Sequence, residues 1–182
     1  MSSHPTPTAA QEVPLRHAAW WAPLSAVLAP LALLVGWGYA GSMTPGFDRV
    51  AQPWSDLWAA NAPNRWVMTA AVAAVGACHI ATAVGLRPVD PAGRWVLGVG
   101  GGFMLLWAAT PNHFVGRYFL GHTFSGVLTF ACLSLWAAVS ARVGPHLPFV
   151  LRRPVAASAS GIGLLLLVVT FLGIISGAPN LG

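Results

Sequence analysis

Five apolar runs, each long enough to cross a bilayer, constrain this chain more than any other feature. They fall at about 18–41, 66–86, 94–110, 118–141 and 155–177. None holds an Asp, Glu or Lys, and the only charge among them is Arg94 at a terminus. About 20 apolar residues span a ~30 Å hydrocarbon core as a helix, and a helix satisfies its own backbone polar groups there. The expected fold is therefore all-α, a polytopic transmembrane bundle of five helices. The composition agrees: only 7% of the 182 residues are charged and 56% are hydrophobic. A soluble domain of this size could not cover its surface with so few charges.

The charge distribution excludes a nucleic-acid module. All nine basic residues are Arg, and apart from Arg152-Arg153 they are scattered singly between the apolar runs. A nucleic-acid binder would gather them on one face. Here they act as topology determinants. With the N-terminus inside, the inner segments hold Arg16, Arg87, Arg94, Arg142, Arg152 and Arg153, and the outer segments hold Arg49, Arg65 and Arg117. Six against three favours a cytoplasmic N-terminus and an outer C-terminus. The arginine-only, alanine-rich composition fits a high-GC bacterial genome, hence a bacterial plasma membrane.

Residues 1–17 are polar and proline-containing and are expected to be a disordered cytoplasmic tail; residues 178–182 form a short C-terminal tail. The first run is too long for a signal-peptide core and lacks a cleavage site, so it is expected to remain as a span, kinked at Pro30. Trp20, Trp21, Trp37, Trp66, Trp95, Trp107 and Trp136 lie near helix ends, the pattern of an interfacial belt. Gly98 and Gly102, Gly173 and Gly177, and Gly36 and Ala40 have the small-xxx-small spacing that lets helices approach closely, within one subunit or between copies. Cys78 and Cys132 lie in apolar runs, with no CxxC pattern, as small buried hydrophobes do.

The first outer loop, residues 42–65, is polar but carries Phe47, Trp54, Leu57 and Trp58. Positions 54, 57 and 58 form one face of a short helix begun by Pro53. It is expected to lie flat at the outer interface with its tryptophans among the headgroups. Ser55 and Asp56 fall in its first turn, where an acid suits the helix dipole. Asp48, after Pro45-Gly46, suits a turn.

His79 lies deep in the second run, roughly 20 Å from its outer end, and an ionisable residue there is a functional candidate or an interhelical hydrogen bonder. His113 sits in the short outer loop and His122 one turn into the fourth run. With Asp48, Asp56 and Arg117 they could line one outer pocket. A histidine beside a carboxylate could then act as general base. His113, His122 and an aspartate also have the chemistry of a zinc site, but not the spacing of any zinc signature. His79 and His122 could ligate a b-type haem only at equal depth, and the sequence puts them roughly 12 Å apart. No metal or cofactor is therefore assigned. There is no P-loop, GxSxG, HExxH or GxGxxG motif and no charged intramembrane relay.

Pro45-Gly46-Phe47-Asp48, then Gln52-Pro53-Trp54-Ser55-Asp56-Leu57, resembles the outer loop of the family called domain of unknown function 998. The helix Val67-Met68-Thr69 to Gly85-Leu86, then Thr110-Pro111-Asn112 and Gly121-His122, is similar to the succeeding segments of that family. The resemblance covers roughly residues 22–177. It implies six spans, against five runs here, and an outer-face cluster of Asp48, Ser55, Asp56 and His122. Asn112 stands where the family pattern leads one to expect an acid. The resemblance implies no activity. The expected role is a binding or accessory protein that holds a lipid, a hydrophobic small molecule or a partner subunit, with Trp54, Ser55, Trp58, Arg117 and His79 as binding candidates. A membrane enzyme using Asp48, Asp56, His113 and His122 is the alternative.

Overall fold

The computed structural model describes residues 17–113, 119–141 and 152–175. Within them the chain forms α1 (Trp21–Ser42), a 3-10 turn (Trp54–Trp58), α2 (Arg65–Gly85), α3 (Pro91–Ala109), α4 (Leu120–Ser140) and α5 (Arg153–Ile175). All five α-helices are long and apolar enough to cross a membrane, so this is a multi-pass bundle. The expected tail, residues 1–17, lies outside the described residues apart from its last position, and so do Arg117 and the expected tail at 178–182.

Each helix packs mainly on the next in sequence, α1 on α2, α2 on α3, α3 on α4 and α4 on α5. With lipid as solvent, close backbone approach and interhelical hydrogen bonds carry this packing. A side chain on Gly36 would collide with Ala71, so α1 meets α2 there. A Cβ on Gly76 would stand 2.8 Å from the Gly101 carbonyl oxygen, and one on Gly101 would stand 2.7 Å from that of Gly76. The α2–α3 crossing is thus a mutual glycine contact. The expected Gly98/Gly102 face is displaced: Gly102 has open space, and Gly100 and Gly101 make the close contacts. Gly173 also has open space.

Polar side chains join the helices at the end away from the 3-10 turn. Ser25 Oγ and Thr82 Oγ1 share a hydrogen bond of 2.8 Å between α1 and α2. Asp90 caps α3, accepting from the Ala92 N–H at 2.9 Å, with Pro91 at the first helical position. Arg94 reaches back to the end of α2 and donates to the carbonyls of Ala83 (2.7 Å) and Val84 (3.0 Å). A cation there completes two unsatisfied acceptors and meets the negative end of the α2 dipole. α1 runs unbroken through Pro30.

Trp20, Trp66 and Trp95 are exposed at helix ends. Trp107 departs from the expected belt: it is only 5% exposed and belongs to the core. The 3-10 turn departs further. Ser55, Asp56, Leu57 and Trp58 are all buried, and Trp58 is the largest fully buried side chain of the described residues. The expected helix lying flat in the headgroup region is instead a plug folded into the bundle. Its apolar face has somewhere better to go than the interface, because α3 and α4 present Trp107 and His122 to it.

Candidate functional site

The plug is pinned from two sides. Its entry is set by Pro53, whose extended backbone precedes the turn. Just after its exit the Ala60 N–H donates to the Asn112 carbonyl at 2.7 Å, tying the first connection to the one after α3. Asn112 is fully buried, and its Oδ1 accepts from the Phe119 N–H at 2.9 Å. An amide thus organises this corner where the family pattern suggested an acid.

Between these anchors three indoles form a closed triangle. Trp54–Trp58, Trp54–Trp107 and Trp58–Trp107 have ring centroids 5.4, 5.4 and 5.3 Å apart, all edge-to-face. That is the favoured geometry for aromatic pairs, each worth about 1 kcal/mol beyond area. His122 tilts against Trp58 (5.4 Å) and Trp107 (5.3 Å), and Phe130 stands edge-on to Trp107 (5.5 Å). The rings fill one another's space, so the triangle is a packed cluster and not an open cage for a cation. Trp58 Nε1 is buried with no hydrogen-bond partner.

His122 is held at both nitrogens. Nε2 accepts from Trp107 Nε1–H at 2.8 Å, and Nδ1 donates to the Thr110 carbonyl at 2.9 Å. This pair of partners selects the neutral Nδ1–H tautomer. It leaves no lone pair for iron or for a substrate proton. The ring holds the start of α4 to the end of α3, a positioning role.

The other candidates are dispersed. Asp48 is exposed and its Oδ1 accepts from the N–H groups of Val50 (2.8 Å) and Ala51 (3.1 Å). Those two backbone donors hold its carboxyl below the usual carboxylate range. His113 is exposed, edge-on to Phe119 at 4.6 Å. His79 Nδ1 lies 2.8 Å from the Val75 carbonyl; a carbonyl only accepts, so Nδ1 carries the proton and donates it there. His79 borders a cavity of about 350 Å³ at the opposite end of the bundle, with Ala22, Ala29, Thr82, Leu97 and Trp136. Among the described residues no three His, Cys, Asp or Glu side chains gather as a metal site. The structure thus brings together Trp54, Ser55, Trp58 and His122, and adds Trp107, whose place at a helix end suggested a belt residue.

A groove of about 160 Å³ opens beside this cluster, between the 3-10 turn, α4 and α5. Its walls are Trp54, Trp107, Gly126, Phe130, Leu167 and Phe171, with Ser55, Thr123 and Thr170 as its few hydroxyls. Phe130, Thr170 and Phe171 are exposed on the outside of the bundle, so the groove opens sideways.

Fold and site together define a multi-pass helical membrane protein with an aromatic plug and a lateral apolar groove. The family model described as "Protein of unknown function (DUF998)" matches residues 27–182, and the chain belongs to that family. No curated protein and no solved structure matches the chain.

Proposed function

We propose that this chain is a lipid- or hydrophobe-binding membrane protein, and that the groove beside Trp54 and Trp107 takes one hydrocarbon chain. The observation that carries this reading is the groove's chemistry: aromatic and aliphatic walls, few hydroxyls, and a mouth on the surface that faces lipid. Apolar concavities with a few polar groups are how small hydrophobic ligands are held. An apolar cavity of about 150 Å³ admits a benzene-sized group. The 160 Å³ here therefore suits a segment of a single chain and no bulky ring system. The neighbouring histidine has both nitrogens engaged and the triad of indoles is closed, which favours binding over acid–base work at this spot.

The arginine bias supports an outer position for the plug end and a cytoplasmic N-terminus, and in this reading the groove faces the outer leaflet of a bacterial plasma membrane. A membrane partner laying a helix over α5 would use the same opening, and a second copy could do so too.

The test uses the intact protein in bilayers of phosphatidylcholine brominated along one acyl chain, which quenches nearby indoles. Thr170→Phe fills the groove from its exposed rim and leaves every residue of the Trp cluster in place. Wild type is expected to lose substantially more tryptophan emission than Thr170→Phe. Equal quenching in the two proteins would show that no chain enters.

A further inference from the structure

A second groove lies on the other side of the plug, and this one ends on a cation. It measures about 290 Å³ and is lined by Leu33, Leu34 and Trp37 of α1 together with Arg49, Gln52 and Trp54. Trp54 walls both grooves. No acidic residue lines this one.

Arg49 is exposed yet held in place. One Nη2–H donates to the Gly38 carbonyl at 3.1 Å, and the guanidinium carbon lies 5.7 Å from the centroid of the Trp37 ring. An arginine has five N–H donors, so most of its fork has no protein acceptor among the described residues. The neighbouring carboxylate of Asp48 is turned to the Val50 and Ala51 N–H groups, and no ion pair joins it to Arg49. Gln52 Oε1 accepts from the Asp48 N–H at 2.9 Å, which leaves its NH2 group to donate.

The groove is also graded in depth. Gly38, which receives Arg49, lies one turn, ~6 Å, inside the end of α1, and Leu34 lies another ~6 Å deeper. Donors thus stand nearer the end of α1 and leucines deeper along it, the order of polarity of an amphiphile. A guanidinium is weakly hydrated, stacks on indole and matches phosphate oxygens with paired N–H groups.

We infer that this second groove binds an anionic phospholipid, with its phosphate on the Arg49 guanidinium and the Gln52 amide and its acyl chain along Leu33 and Leu34. The site is separate from the groove facing α5 and does not depend on a chain being bound there. A free phosphate would share the headgroup contacts but not the leucine wall.

The experiment titrates the delipidated full-length protein with phosphatidylglycerol and phosphatidylcholine and reads bound lipid by native mass spectrometry. Wild type is expected to favour phosphatidylglycerol by about fivefold, the usual effect of one arginine near a lipid surface. Arg49→Gln should bring the ratio near one, and Arg49→Lys should keep most of it. Arg49 is exposed, so these variants should fold, which a thermal melt checks. Thr170→Phe should leave the preference intact. An unchanged ratio in Arg49→Gln would overturn the site. Loss of the preference in Thr170→Phe would overturn its separateness, because the two grooves would then be one. Displacement of phosphatidylglycerol by excess glycerol 3-phosphate would overturn the lipid in favour of a soluble phosphate.

Discussion

Helices α2 and α4 hold one histidine each, and the two are opposites. His122 has both ring nitrogens hydrogen-bonded and sits beneath two indoles. His79 has one nitrogen engaged and borders an open cavity. The same side chain is a structural pin in one place and an available acceptor in the other. Their neighbours set the two roles. The same contrast runs through the helices. α2 and α3 have backbone-to-backbone glycine contacts at their crossing, whereas α5 turns most of its leucines and valines outward. Close packing runs from α1 through α4 and the plug, and the groove opens where packing thins toward α5.

Trp58→Ala challenges this contrast most severely. It removes the fully buried ring that touches Trp54, Trp107 and His122, and should destabilise the protein by about 3 kcal/mol or more. Reversible unfolding in detergent measures it; a loss below about 1 kcal/mol would mean the plug is dispensable. Gly101→Leu comes next, because its Cβ would meet the Gly76 carbonyl oxygen at 2.7 Å. A cost of about 2–3 kcal/mol is expected from overpacking, against under about 0.5 kcal/mol for Gly102→Leu, which has open space. Similar costs at the two positions would erase the difference between packed and open faces of α3.

His122→Leu should cost about 1–2 kcal/mol by stranding the Trp107 N–H and the Thr110 carbonyl. His79→Leu strands only a carbonyl already bonded within its helix and should cost less. The reverse order would contradict the assignment of roles. Asp48→Asn gives the smallest effect. The folded carboxyl titrates below its ordinary range, so its contribution to the turn is present above the unfolded pKa. That contribution is lost as pH falls through the lowered folded value. Amide-exchange protection at Val50 and Ala51 should therefore drop with acid in wild type and vary little in the variant.

The spans were legible in the sequence because bilayer thickness fixes the length of an apolar run, and charge marks its ends. The face of the plug was legible too, since Trp54, Leu57 and Trp58 fall at helical spacing. What that face meets was not. Amphipathicity says that one side is apolar, and both a headgroup layer and a protein core accept such a side. Only the Ala60–Asn112 tie and the position of Trp107 decide for the core. Gly100, Gly101 and Gly102 are consecutive, so periodicity alone could not choose which of them faces α2. Counting depth placed His122 near the surface, but the connection folded over it supplies its burial.

Whether the groove beside Trp54 and Trp107 takes a hydrocarbon chain is tested most directly by native mass spectra of the protein carried through exhaustive delipidation. Wild type is expected to keep one lipid per chain that Thr170→Phe does not keep. Spectra in which both proteins hold the same lipid complement, or neither holds any, would contradict it.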